Sequence, residues 1–335
     1  MGAGAGVTRV LFVGGFGRSG STLLDRLLGQ IVGFVSLGEV KYLWQRGLVE
    51  DQLCGCGTPF RSCPFWTEVG ERGFGGWARV DAPGMVTLMR GVDRHRYVPG
   101  LLVPKLSPSV SRTVRAAAPT LERLYGAIRD VSGARVLVDS SVDPSTALVL
   151  RRVPGIDLRL AHLVRDSRGV AASWARRVVR PEVVGSTEYM PSYRPWSTAV
   201  RWSIDNLLFE AIRSGGVPCE LVRYETLVRD PRRTLAGLAR FAGEDVRGGL
   251  GFVGEGSAEL TTDHTVAGNP MRFTTGTLAL RVDDAWRATM PPRSRRAVSA
   301  LTWPLLRRYG YGTRASDGER RDGVDGRDTG GNLDR

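Results

Sequence analysis

The chain has 335 residues, 42% of them hydrophobic and 24% charged, which is the balance of a soluble globular protein with material for a large core. A net charge of +13 and a pI near 10.4 raise the question of a polyanion partner, but the basic residues are spread along the chain and only Lys41 and Lys105 are lysines. The charge therefore reads as a general attraction for anionic ligands recognised at local arginines, and no nucleic-acid partner is expected.

No stretch approaches the roughly 20 apolar residues of a membrane-spanning helix. The N-terminus lacks a charged region ahead of a short apolar core, so no membrane partner and a cytoplasmic location are expected. Oligomeric state is left open.

The first predicted strand is the apolar run Val10 to Val13. It breaks at Gly14, Gly15 and Gly17 and continues through Arg18-Ser19-Gly20-Ser21-Thr22 into a helix carrying Leu23, Leu24, Leu27 and Leu28. Strand, glycine-rich turn and helix start together make a phosphate cradle, because successive amides can point at an anion in front of the positive end of a helix. Gly15 to Thr22 matches the nucleotide loop G-x-x-x-x-G-K-[ST] except that Ser21 stands where Lys belongs, and the cation has moved to Arg18. The missing Lys is the group that reaches β- and γ-phosphates, so a triphosphate is disfavoured. The bland alternative is a tight connection that binds nothing.

A second short strand, Phe34 to Leu37, ends at Gly38-Glu39, and residues 39 to 49 have helical spacing. Residues from about 45 to 110 are rich in Gly, Pro, Trp and Arg, and read as an insertion of loops and short helices over the sheet. Within it, Cys54, Cys56 and Cys63 cluster without a fourth ligand nearby in the sequence, so they are expected to be partly buried thiols and no metal is expected. A helix over 110 to 130 precedes a third strand, Arg135 to Ser140, with Asp143-Pro144 opening the next helix. Leu158 to Val164 is a fourth strand that runs into Arg165-Asp166 and a helix from about 167 to 178.

After a loop over 180 to 195 comes a long helix carrying Val200, Trp202, Ile204, Leu207, Leu208 and Ile212, and then a fifth strand, Cys219 to Tyr224. A helix starts near Pro231, residues 245 to 285 are irregular, and a last helix spans about 292 to 308. The expectation is a doubly wound α/β fold with a mainly parallel five-stranded sheet and a P-loop-like phosphate site, one domain over 1–313 and a disordered tail over 314–335.

In such folds ligands lie at the carboxyl ends of the strands. That rule gathers Gly17 to Thr22, Glu39, Asp139, Arg165 and Tyr224. Arg165 and Ser173 could converge on one phosphate, with Arg177 one turn further along the helix. A local Arg165–Asp166 pair capping the helix is the competing reading. His162 lies in an apolar strand and reads as core, His95 reads as exposed with an acceptor role open, and His264 reads as able to touch nucleotide or base. Trp174, Trp196, Trp202 and Trp286 read as core.

Gly17-Arg-Ser-Gly-Ser-Thr-Leu-Leu24, His162 through Ser173-Trp174, Tyr224 through Pro231, and Gly268-Asn-Pro-Met-Arg272-Phe273 together resemble the sulfotransferases that use 3'-phosphoadenosine 5'-phosphosulfate. The resemblance covers about residues 8 to 312. It implies that Gly17, Arg18, Ser19, Gly20, Ser21 and Thr22 hold the 5'-phosphosulfate. It places Arg165 and Ser173 on the 3'-phosphate, Tyr224 near adenine, and Arg272 in a segment that closes over the nucleotide.

The resemblance further implies a small-molecule, carbohydrate or natural-product acceptor with a hydroxyl. Glu39 would be the general base, as in tyrosylprotein and some bacterial carbohydrate sulfotransferases, with Asp139 second and capping the alternative for Glu39. Val142 stands where similar bacterial proteins have Lys. A P-loop kinase or other NTPase, and a non-catalytic nucleotide-binding protein, are the other classes considered.

Overall fold

The computed structural model describes residues 6–181, 187–246 and 249–312. The tail expected over 314–335 and part of the 180–195 loop lie outside the described residues.

The first strand, β1 (Thr8–Gly15), is flanked on one side by β3 (Val136–Val142) and on the other by β4 (Ile156–Val164). With β2 (Phe34–Ser36) and β5 (Cys219–Arg223) at the edges, the sheet has the order β2-β3-β1-β4-β5, and every pairing is parallel.

β1 is apolar on both faces because it is covered on both. Val10 and Phe12 enter the core cluster built with the 40–153 region, whereas Leu11 and Val13 enter the one beneath the helices that follow β1 and β5. Each such burial contributes about 1.5–3 kcal/mol, which fixes the register of the central strand.

Helix α1 (Ser21–Gly29) follows β1. The insertion supplies α2 (Pro64–Phe74), α3 (Ala82–Arg90) and the single turn α4 (Val98–Leu102), and α5 (Pro108–Ser132) leads into β3. Residues expected as one helix over 39–49 instead form a 3₁₀ turn, Val40–Tyr42, and a π-helical segment, Leu43–Val49. After β3 come α6 (Pro144–Leu150), then, beyond β4, α7 (Ser167–Ala175) and α8 (Pro195–Ser214). β5 is followed by α9 (Tyr224–Arg229) and α10 (Pro231–Phe241).

The stretch expected to be irregular contains an antiparallel ribbon, β6 (Ser257–Leu260) with β7 (Gly276–Ala279), before α11 (Trp286–Thr289) and α12 (Pro292–Arg308). α8 buries Ala199, Trp202, Asn206, Phe209 and Ile212 and turns Val200, Ile204 and Leu207 to solvent. Trp196, in its first turn, is 55% exposed and so is not core. No helix among the described residues is long and apolar enough to cross a membrane.

The chain builds β2 and β3 on one side of β1, and β4 and β5 on the other. The strand order therefore reverses beside β1, which is where such sheets open a crevice at their carboxyl ends.

Candidate active site

The turn between β1 and α1 is held in a conformation that leaves its amides available. Gly20, which caps α1, has φ +96°, and a side chain there would collide with the Tyr224 ring, 2.6 Å away at Cδ2. Only glycine meets both demands. No side chain caps α1 and no acidic residue lies in its first turn, so the positive end of the helix faces the turn without an internal anion. The Ser19 hydroxyl is buried and has no hydrogen-bond partner among the described residues.

Arg18 has φ +70°, a left-handed conformation that costs a non-glycine residue of order 1–3 kcal/mol and is concentrated at functional sites. Its guanidinium lies over the Trp174 ring, 5.3 Å from the centroid, and donates from Nη2 to Met190 Sδ at 2.9 Å. Burial lowers its pKa and Glu39 opposes the shift.

Arg165 leaves the end of β4, adjacent to β1. The competing helix-cap reading fails on geometry. Asp166 caps α7 by accepting from the Arg168 amide, and its carboxylate is held by the Arg168 side chain at 2.9 and 2.7 Å. Arg165 is thereby free to reach across. Its Nη1 donates to the Arg18 carbonyl at 3.2 Å, its guanidinium carbon lies 4.6 Å from the Tyr224 ring centroid, and Trp202 Nε1 donates to its carbonyl at 3.2 Å. Nη2 is engaged by Asp283, through the backbone carbonyl at 3.0 Å and Oδ2 at 3.1 Å.

Glu39 comes from the end of β2. A side chain at Gly268 would lie 3.5 Å from Thr22 Oγ1 and 3.9 Å from Glu39 Oε1, so the carboxylate and the phosphate-loop hydroxyl flank one glycine. Burial raises the Glu39 pKa, and Arg46, Lys41 and Arg272 pull it back down. Its side chain caps nothing, so the helix-cap alternative for Glu39 is not what the structure shows.

Gly17, Arg18, Gly20, Ser21, Thr22, Glu39, Arg165, Ser173 and Tyr224 all line one open cleft at the carboxyl ends of the strands. Ser19, buried in the turn, does not line it, and two more expected residues are elsewhere. α7 stops at Ala175 and Arg176 is extended, so Arg177 is not one helical turn beyond Ser173; it lies exposed with its guanidinium over Tyr189. Arg272 is 1% exposed and donates to the carbonyls of Thr265 (2.8 Å) and Leu53 (2.6 Å). It braces the 265–272 segment and does not line the cleft; Asn269 and Met271 of that segment do.

Asp139 is also displaced as a base candidate. It is fully buried, accepts from the Tyr125 hydroxyl at 2.5 Å and from the Ser141 amide at 2.9 Å, and does not line the cleft. Val142 has φ +56°. The lysine near this motif is Lys41, which pairs with Asp93 at 3.0 Å and Asp143 at 3.2 Å.

Helical spacing assigns Trp174 to the core, yet it lines the cleft and donates from Nε1 to the Gly17 carbonyl at 2.9 Å. The signal that could have found it is its place directly after Ser173. Met190 had no such signal. Among the histidines, His162 is core, bonded to Asn206 at 2.9 Å, and His95 pairs with Asp205 at 3.0 Å. His264 does not line the cleft and sits among thiols.

A family model described as "Sulfotransferase family" matches residues 11–247. Among solved structures the fold is similar to the sulfotransferase domain from the Synechococcus PCC 7002 olefin synthase, with 22% identity and a TM-score of 0.50 over 90% of this chain and 95% of that one. The sulfotransferase domain from the curacin biosynthetic pathway matches at 18% identity and TM-score 0.48, covering 92% and 98% of the two chains. The sulfotransferase STF9 from Mycobacterium avium matches at 14% and 0.47, covering 91% and 78%. No curated protein matches.

Proposed function

The chain belongs to the sulfotransferase family, and from that premise we propose that it moves a sulfuryl group from 3'-phosphoadenosine 5'-phosphosulfate to a hydroxyl of a small-molecule, carbohydrate or natural-product acceptor. The observation that carries the reading is the contact between the Arg165 guanidinium and the Arg18 turn. The Arg18 turn and the Arg165 guanidinium share one cleft, so one nucleotide with phosphate at both ends of its ribose can engage both.

In this reading the amides of residues 19–22 and the Arg18 guanidinium hold the 5'-phosphosulfate and stabilise the charge that develops on the leaving phosphate oxygen. Arg165 and Ser173 hold the 3'-phosphate, and the Tyr224 and Trp174 rings bound the space beside them. Glu39 accepts the proton of the acceptor hydroxyl as its oxygen bonds to sulfur and the bond from sulfur to the leaving oxygen breaks. A carboxylate whose pKa is raised by burial is a stronger base than a solvated one. Cleft walls, and not covalent chemistry, then supply the rate by alignment.

The test is calorimetric titration of the protein with adenosine 3',5'-bisphosphate and, separately, with ATP–Mg²⁺, followed by incubation with radiolabelled donor and a panel of phenols, sugars and glycosylated metabolites. Tight binding of the bisphosphate, weak binding of ATP and label transfer to a hydroxyl support the proposal. Preference for ATP–Mg²⁺ would move the protein to the kinases and NTPases. Bisphosphate binding without transfer to any acceptor would leave a nucleotide-binding protein.

A further inference from the structure

Three cysteines without a fourth partner nearby in the sequence acquire one in the fold. Cys63 lies 201 positions before His264, yet its Sγ is 3.3 Å from His264 Nδ1. Cys54 Sγ is 3.8 Å from the same nitrogen, and Cys56 Sγ is 3.7 Å from Cys63 Sγ. All four ligand atoms lie within 4.8 Å of one another. A tetrahedral zinc site, with Zn–S near 2.3 Å and Zn–N near 2.0 Å, has edges of roughly 3.5–3.8 Å. Two of the three close pairs already stand at that spacing, and the Cys63–His264 pair, at 3.3 Å, is slightly inside it. A disulfide needs sulfurs about 2.05 Å apart, and all the cysteines are free.

The backbone around the cluster is shaped as a metal knuckle. Cys54 and Cys56 flank Gly55 in a turn closed by Gly57 N–H to the Cys54 carbonyl at 2.8 Å and by Cys54 N–H to the Thr58 carbonyl at 2.8 Å. Cys63 immediately precedes α2. The Gly55 amide donates to the Thr265 carbonyl at 2.9 Å, and a side chain on Gly55 would meet Thr265 Oγ1 at 2.4 Å, so the turn presses directly on the extended segment that carries His264. Phe65 stacks on the imidazole at 4.9 Å and 10°, and Trp66 Nε1 donates to the His264 carbonyl at 2.8 Å. Cys54 and Cys63 are fully buried.

We infer that Cys54, Cys56, Cys63 and His264 form a structural Cys₃His zinc site that staples the insertion to the 264–272 segment. Four protein ligands fill a tetrahedron, so the ion has no open position for chemistry and its role is to fix chain geometry. What it fixes is adjacent to the cleft. The Val266 amide donates to the Leu37 carbonyl at 2.9 Å, and the Glu39 amide donates to the Ala267 carbonyl at 3.3 Å. Asn269 and Met271, a few residues on, line the cleft. Zinc at the knuckle would therefore hold both the Glu39 backbone and one wall of the pocket, while touching neither substrate.

The test is metal analysis by plasma mass spectrometry of the full chain purified without chelator, with no donor or acceptor present, so its outcome is separate from that of the sulfuryl-transfer reading. About one zinc per chain is expected, lost in Cys63→Ser and retained in His264→Cys, which keeps four ligands. Replacing zinc with Co²⁺ in the wild-type protein should give the intense visible bands of a tetrahedral ion and a thiolate charge-transfer band, and His264→Cys should shift them. Because the cobalt spectrum is read on wild-type protein, misfolding of a variant cannot mimic failure. Folded wild type that takes up no zinc from excess metal, or that carries a Cys56–Cys63 disulfide or iron in its place, would overturn the inference.

Discussion

Arg165 Nη1 donates to the Arg18 carbonyl at 3.2 Å, joining a guanidinium at the end of β4 to the turn at the end of β1. The same guanidinium packs on Tyr224, whose ring leaves room for nothing larger than glycine at position 20. Three elements therefore share one small volume, and the anion-binding roles assigned to them can be separated by substitution.

Arg165→Ala should weaken binding of adenosine 3',5'-bisphosphate by about 10- to 100-fold, the range for a charge-assisted hydrogen-bonding partner. Glu39→Gln should leave that affinity unchanged and slow transfer by about 100- to 10,000-fold, as loss of a general base does. Calorimetry on both variants, with single-turnover kinetics on the second, checks the division of labour. Equal losses of affinity in the two would undo it.

Asp283 occupies the hydrogen-bonding face of Arg165 that a phosphate would use, with Arg176 also within 3.6 Å of its Oδ2. Its side chain is 35% exposed, so the pair is partly screened and worth about 0.2–1 kcal/mol. Asp283→Asn should therefore tighten bisphosphate binding by about 2- to 5-fold and steepen its salt dependence. A weaker complex would show instead that Asp283 positions Arg165 for the ligand and does not compete with it.

The three central strands β1, β3 and β4 were legible because they carry apolar runs, and each run is apolar for the same reason, with core on both faces. β6 and β7 were not: four residues each, with Glu259 and Thr277 paired on the exposed side, they carry too little pattern to stand out from loop. That the turn after β1 and Arg165 line one cleft could be read from position after a strand alone. Arg177 could not, since its placement depended on α7 continuing past Ala175. Arg272 and Trp174 exchanged the expected places of binding residue and core residue, because spacing within an element says nothing of which neighbour each face meets. His264 and Cys63 lie in segments the sequence keeps 201 positions apart, and only the fold makes them one cluster.

Gly20→Ala should damage both fold and site. The alanine would have to adopt φ near +96° and displace the Tyr224 ring, at a combined cost of about 1–3 kcal/mol. Thermal unfolding should show the loss, and bisphosphate affinity should fall further than stability alone explains because α1 loses its open first turn. A variant with unchanged affinity would mean that the α1 amides do not hold the ligand.

The pH dependence of transfer follows from Glu39. Only its ionised form accepts a proton, and burial raises its pKa above the usual carboxylate value. Activity should thus be lost as pH falls through that raised value, so the acid limb of the kcat profile lies above the roughly 4.3 of a solvated glutamate. Glu39→Asp should retain a limb, whereas Glu39→Gln should flatten it along with the rate. A limb that persists unshifted in Glu39→Gln would assign it to another group.

Stability should have its own acid limb, set by His162. Burial drives its pKa down to about 4 against 6.5 for the free side chain, with Asn206 opposing the shift. The folded state therefore holds a neutral imidazole where the unfolded chain takes a proton. Stability is fully present above pH 6.5 and falls as pH drops from there toward 4, by about 3 kcal/mol at 1.36 kcal/mol per pH unit. His162→Gln keeps a partner for Asn206 and cannot titrate. Urea unfolding between pH 4 and 7 should show a slope in the wild type that is reduced in the variant by about one proton, and equal slopes in the two would place the titrating group elsewhere.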